Sequence, residues 1–202
     1  MATVRLPDAR GVANSQGAPF GLCCASAGLV SALALVSPVD EVAHPLVKRQ
    51  LPHRMRQLVD DVVRDPYSAE VSFAAFEAAT MFAMVMGEVS ESDRSVYRDE
   101  AFVKLFRAAL DEGFAQGPSA YAHQTRLAMS HWGLDLASIS VPVSIWFGRD
   151  DVSHSPDRGF FLAERIPCSR RHVVNGMGGS LLWRAPAPIV DELLSLAAAE
   201  RS

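Results

Sequence analysis

Val141-Pro142-Val143-Ser144-Ile145-Trp146-Phe147-Gly148-Arg149-Asp150-Asp151 is the stretch on which the fold turns. Residues 141–147 are rich in β-branched and aromatic side chains, which predicts a strand. The proline stands near the start, where a missing N–H is tolerable. An apolar run without polar alternation suits a strand covered on both faces, as in a parallel sheet. Gly148 closes it, and the aspartates follow at what would be the carboxyl edge of that sheet. A carboxylate there can orient a histidine; aspartates after strands also commonly serve turns and helix caps.

Working outward, Val30-Ser31-Ala32-Leu33-Ala34-Leu35-Val36 is a second apolar run, ended by Ser37-Pro38. Residues 39–134 between the two runs are patterned as helices. Met55, Leu58, Val59, Val62 and Val63 recur at helical spacing, as do Phe102, Leu105, Phe106, Ala109 and Leu110. A loop at 90–93 offers Ser92 or Asp93 as a helix cap. In the other direction, residues 155–166 read as a helix and 171–174 as a short strand. Gly176-Met177-Gly178-Gly179 reads as a turn and 189–199 as a closing helix. Strand–helix alternation of this kind predicts an α/β fold on a parallel sheet. The expected division is a core segment at 1–38, a helical insertion at 39–135, and the rest of the core at 136–202.

Ala13-Asn14-Ser15-Gln16-Gly17 lies between a short stretch at 9–14 and a helix of small and apolar residues at 19–27. A tight strand–turn–helix holds a serine Oγ proud of a sheet. Small residues two before and two after the serine let the backbone turn. Ala13 and Gly17 meet that need, as A-x-S-x-G rather than G-x-S-x-G. The helix N-terminus behind Ser15 would favour an oxyanion, with the Gln16 N–H as one donor. Taken alone, the pentapeptide reads first as an ordinary Ser–Gln turn ahead of a helix.

The context adds to it. Ala13-Asn14-Ser15-Gln16-Gly17-Ala18-Pro19-Phe20 is followed by Leu33-Ala34-Leu35-Val36-Ser37-Pro38. Then come His131-Trp132-Gly133-Leu134-Asp135-Leu136, the 141–151 stretch, Phe161-Leu162-Ala163-Glu164-Arg165-Ile166-Pro167 and His172-Val173-Val174-Asn175-Gly176-Met177-Gly178-Gly179. In this order and spacing the chain resembles the α/β-hydrolase superfamily, and within it bacterial members with a helical lid. Each motif is degenerate, but their ordered combination is specific and spans nearly the whole chain. The resemblance implies an α/β fold with a mostly parallel sheet and a helical lid insertion, present here in part. It also implies hydrolysis of an ester-type bond by a Ser–acid–His triad in that chain order. Ser15 matches the nucleophile and Asp151 the acid. Asp40, just after the preceding strand, is a lesser candidate, because some family members place the acid there.

Two departures qualify this. The family's histidine follows a Gly-x-Gly turn after the last strand; Gly176-Met177-Gly178 matches the turn, and Gly179 stands next. Losing one triad member typically removes most of the serine's activation. The chain also begins at or near the elbow strand. The resemblance therefore implies an N-terminally truncated fold, lacking the loop that donates a second oxyanion N–H. Its apolar sheet edge would be exposed to self-association. Among the six histidines, His154, three residues after Asp151, is the best-placed substitute base, although loop packing is the ordinary role of a histidine there. His172 falls within a strand, His44, His53 and His123 within the lid, and His131 beside Trp132 in a structural position. Phe73, Phe76, Met81, Phe82, Met84 and Met86 read as a helical hairpin core, and second as a wall for an apolar acyl or alkyl group. The two leading readings are an impaired serine hydrolase and a non-catalytic truncated pseudoenzyme that binds a small apolar ligand or a partner.

Composition narrows the partners. The chain is 49% apolar and 21% charged, an ordinary soluble balance, with a net charge of −4 and scattered basic residues. This excludes the electrostatic footprint of a nucleic-acid binder. Three cysteines, Cys23 and Cys24 adjacent, make no disulfide framework, and no CxxC or HxxxH spacing marks a metal site. No cofactor or metal is expected, and a reducing cytoplasm is the simplest compartment. Residues 11–39 carry no charge and follow Arg5 and Arg10, which admits a signal peptide or membrane anchor. Asn14, Ser15, Gln16 and Pro19 interrupt that stretch and Pro38 closes it, so no membrane partner is expected. The expected ligand is a small apolar, ester-like molecule.

Overall fold

A computed structural model describes residues 9–87 and 89–199. In chain order they form β1 (Arg10–Asn14), α1 (Ala18–Ser26), β2 (Ala32–Val36), α2 (Pro45–Lys48), α3 (His53–Arg64), α4 (Pro66–Phe73), α5 (Ala78–Gly87), α6 (Arg94–Tyr97), α7 (Glu100–Gly113), α8 (Ser119–Met129), β3 (Val143–Gly148), α9 (Phe160–Arg165), β4 (Ser169–Val174), α10 (Leu181–Arg184) and α11 (Pro186–Ala199). These divide into two compact units. One runs up to Asp40 and resumes at Gly133; the other is Glu41–Trp132.

The first unit is built on a four-stranded parallel sheet of order β1-β2-β3-β4. Ala13 stands beside Leu35, Leu35 beside Ile145, and Ile145 beside Arg171. The inner strands β2 and β3 are buried along their whole length, which is why both read as unbroken apolar runs. Successive side chains feed opposite faces. Ala32, Ala34, Val36 and Trp146 pack with Leu181 of α10 and with Ile189, Leu193 and Leu196 of α11. Leu33, Leu35, Ile145 and Phe147 alternate with them and are equally buried, and α1 packs against β1 and β2. Each large side chain buried this way contributes roughly 1.5–3 kcal/mol. Among the described residues β1 is an edge strand, and its Val12 is 46% exposed.

Several boundaries differ from expectation, among them β2, which begins at Ala32, and the closing helix, which begins at Pro186. The strand expected from 141 begins at Val143; Pro142 has no N–H to give, and its carbonyl accepts from Leu33 at 3.0 Å. The helix expected over 155–166 begins only at Phe160, because Arg158 (φ 53°) and Gly159 (φ 73°) are left-handed and a right-handed helix cannot run through them. Asp157 instead gathers that turn, accepting from the N–H groups of Gly159 and Phe161 at 2.9 Å each. β4 starts at Ser169, ahead of the expected Arg171.

Helices are the only regular elements among the second unit's described residues. Val62 of α3, Phe73 of α4 and Ala122 of α8 form its buried cluster, with Ala69 and Met129 packed against them. Glu70 joins α4 to α8 through Arg126 Nε at 2.6 Å. Asp65 caps α4 by accepting from Ser68 N–H at 3.1 Å, and Asp99 caps α7 through Phe102 N–H at 2.7 Å. The apolar stretch from Phe73 to Met86 is not a single hairpin core. The chain bends by 92° between α4 and α5, and no α5 residue is fully buried. Phe76 tilts against Tyr121 with ring centroids 5.4 Å apart, Phe82 against Phe106 at 5.9 Å, and Arg107 lies 3.6 Å over the Phe82 ring. No single helix among the described residues is long and apolar enough to cross a membrane. The uncharged stretch at 11–39 divides into β1, α1 and β2.

Candidate active site

At Asn14 the chain leaves β1 and turns through one 3-10 turn, Ser15–Gly17, into α1. Ser15 sits at φ 51°, in the left-handed region that costs an L-residue roughly 1–2 kcal/mol. Two hydrogen bonds hold it there. The Ser15 carbonyl accepts from Val39 N–H at 3.1 Å, and Asn14 Nδ2 donates to the Val36 carbonyl at 2.9 Å. The turn is thereby fastened to the end of β2, and the serine stands at the carboxyl edge of the sheet.

The second wall of the site follows β3. A Cβ on Gly148 would lie well inside contact distance of the Met177 and Gly178 carbonyl oxygens, so only glycine lets the 176–179 turn approach this closely. Asp150 N–H donates to the Met177 carbonyl at 2.9 Å and Arg149 N–H to that of Val174 at 2.8 Å. The turn after β4 and the loop after β3 are held side by side.

That loop carries Asp151, whose side chain is 2% exposed. Its Oδ1 accepts from the N–H groups of Ser153 (3.0 Å) and His154 (3.2 Å), and its two oxygens lie 3.0 and 2.9 Å from His154 Nδ1. Burial pushes the carboxyl pKa up. The hydrogen bond and charge of His154, then the Ser153 N–H and the Ser37 hydroxyl, outweigh burial and hold the group below its usual value. An ionised carboxylate only accepts, so Nδ1 carries a ring proton, and in the neutral ring Nε2 is then the acceptor. Nε2 lies 2.9 Å from Ser15 Oγ. Hydroxyl, imidazole and carboxylate thus form one hydrogen-bonded line within the first unit. The imidazole is mostly buried, with 15% of the side chain exposed.

The other candidates are engaged elsewhere. Asp40, the lesser candidate for the acid, is buried in an ion pair with Arg165 of α9. His172 stacks on Trp146 with ring centroids 4.0 Å apart and lies 2.9 Å from Glu192. In the second unit His44 caps α2 through Leu46 N–H, His53 opens α3, His123 pairs with Glu70 and His131 with Glu41. Ser37 was not picked out by the sequence, where it only ends an apolar run. It is fully buried at φ 42°, with its hydroxyl beside Asp151. A left-handed serine leaves no composition signal. Among the described residues no three His, Cys, Asp or Glu side chains gather as a metal site, and Cys23, Cys24 and Cys168 are free thiols.

No protein-family model and no curated protein matches the chain. Solved structures do. A putative non-heme bromoperoxidase, BpoC, from Mycobacterium tuberculosis matches with a TM-score of 0.56 and 18% identity, over 94% of this chain and 66% of that one. A bromoperoxidase from Bacillus anthracis matches with a TM-score of 0.60 and 19% identity, over 94% and 67%. A serine hydrolase involved in carbazole degradation, CarC, matches with a TM-score of 0.61 and 16% identity, over 98% and 66%. The chain spans about two thirds of the length of these structures. At such identities the likeness shows the fold, which is that of the α/β-hydrolases.

Proposed function

We propose, on the premise of an α/β-hydrolase fold, that this chain is a serine hydrolase acting on ester-type bonds, with Ser15 as nucleophile, His154 as base and Asp151 as orienting acid. One observation carries the reading: Ser15 Oγ to His154 Nε2 at 2.9 Å, continued from Nδ1 to Asp151 at 2.9 Å. A serine hydroxyl is a weak nucleophile until a positioned base removes its proton. Here Oγ would bond to the ester carbonyl carbon while its proton passes to Nε2. The tetrahedral oxyanion would draw on the backbone dipoles at the start of the 3-10 turn, with the Gln16 N–H as donor. Collapse would expel the alcohol, which takes the proton back from Nε2 and leaves an acyl-serine. Water, deprotonated by the same nitrogen, would then release the acid and restore Ser15. Asp151 would stay ionised throughout, fixing the tautomer and stabilising the imidazolium.

The left-handed Ser15 supports the same reading, since backbone strain of this kind collects at functional sites. The competing reading is a non-catalytic binding protein, favoured by Gly179 standing where the family places its histidine. A fluorophosphonate probe separates the two. Attack by Oγ on phosphorus releases fluoride and leaves a phosphonyl-serine readable as a mass increase. Labelling at Ser15, absent in Ser15→Ala, supports the hydrolase; a folded, unlabelled protein supports the binding protein.

A further inference from the structure

We infer that Gly179 is a positioning residue: its missing side chain makes the space that the His154 imidazole occupies between Asp151 and Ser15. This rests on the triad reading above and adds to it a reason why glycine stands at 179. A Cβ built on Gly179 would lie 3.1 Å from His154 Cε1, 3.4 Å from its Nδ1 and 3.7 Å from Asp151 Oδ1. The first distance is tighter than ordinary carbon contact, so even alanine requires the ring to give by a few tenths of an ångström. The ring has little room to give. Its Nδ1 is held by a nearly buried carboxylate, and its backbone N–H is held by the same carboxylate. The carboxylate is tied in turn to Ser153 N–H. The remaining movement is rotation of Nε2 away from Ser15 Oγ.

The backbone does not demand glycine at this position. Gly176, in the same turn, has φ 69°, whereas Gly179 is outside the left-handed region. A side chain at 179 therefore meets no left-handed penalty, and the atoms nearest to its Cβ are those of the imidazole. The turn itself is fixed against Gly148 and Asp150, so it cannot retreat to make room. Residues 154 and 179 thus compete for one imidazole-sized space. A base carried on residue 179 would find Asp151 within reach, because the acceptor oxygen is 3.7 Å from where its Cβ would be. A histidine at both positions would crowd the space, and a histidine at either one would fill it.

The test follows Ser15 labelling by a fluorophosphonate in the full chain, with thermal melting and near-ultraviolet circular dichroism as controls for folding. Wild type, His154→Ala, Gly179→Ala, Gly179→Val and the double variant His154→Ala/Gly179→His are compared. Gly179→Ala is expected to label several-fold more slowly and Gly179→Val about 100-fold more slowly, as for an ångström-scale misplacement of a catalytic group. The double variant is expected to regain at least about tenfold over His154→Ala, a rescue that a merely structural glycine would not produce. Folded Gly179→Val labelling at the wild-type rate, or a folded double variant no faster than His154→Ala, overturns the inference while leaving the triad standing. If Gly179→Val does not fold, the double variant decides. Labelling of His154→Ala at the wild-type rate is a separate outcome: the triad reading fails and this inference falls with it.

Discussion

Ser15 keeps a left-handed backbone that glycine would adopt without penalty, held by Val39 N–H and by the Asn14 side chain one residue before it. Ser15→Gly should therefore be more stable than Ser15→Ala, which keeps the strain, by about 1 kcal/mol in urea unfolding. Neither variant should react with a fluorophosphonate. At Asp151 the expected effect is on rate. An amide cannot replace a carboxylate that accepts from Ser153 N–H, His154 N–H and the ring, so Asp151→Asn should lower ester turnover by about a thousandfold with KM little changed. The same carboxyl shapes acid stability. Its folded pKa lies below the ordinary 3.8, so its contribution is fully present above that value and is lost as pH falls through the depressed one. Denaturant titrations should show Asp151→Asn with a flatter loss of stability below about pH 4 than the wild type. Ser15 and Asp151 were legible from their places after strands. His154 was legible only as the histidine nearest in sequence to Asp151, since its reach to Ser15 depends on how β1, β2 and β3 are laid side by side.

Carboxylate and imidazole share one short segment, Asp151-Val152-Ser153-His154, in which the carboxylate bonds the backbone of its own turn as well as the ring. Such local bonding sets the relative position of the two groups from a single loop, leaving only Ser15 to be brought in by the sheet. The loop depends in turn on Gly148, where the turn after β4 makes contact. Gly148→Ala should displace the 176–179 turn, lower stability by about 2–3 kcal/mol and slow Ser15 labelling, as read by unfolding and probe kinetics together. Strands β2 and β3 were legible because burial on both faces leaves an unbroken apolar run. The start of α9 was not. Arg158 and Gly159 take left-handed conformations imposed by their surroundings, and the apolar periodicity of the following helix carries no trace of it.

On the scale of the whole molecule, sequence patterning separated a strand-bearing part from a long helical one, and each of the two compact units has a core of its own. Val62 is fully buried in the helical unit. Val62→Ala should cost that unit about 2 kcal/mol and lower amide protection in α3, α4 and α8, while β2 and β3 keep theirs in hydrogen exchange. The second unit's packing was the less legible, because α5 is apolar on every side yet has no fully buried residue, so periodicity gave no inward face. The proposed chemistry lies in the first unit alone: a base supplied from the loop after β3 would activate the serine after β1. It is tested most directly by the rate of Ser15 phosphonylation, followed by intact mass, in wild type, His154→Ala and His172→Ala. Wild type and His172→Ala should both be labelled, with a folded His154→Ala slower by at least about a hundredfold. Equal rates in wild type and His154→Ala, or no labelling of folded wild type, would contradict it.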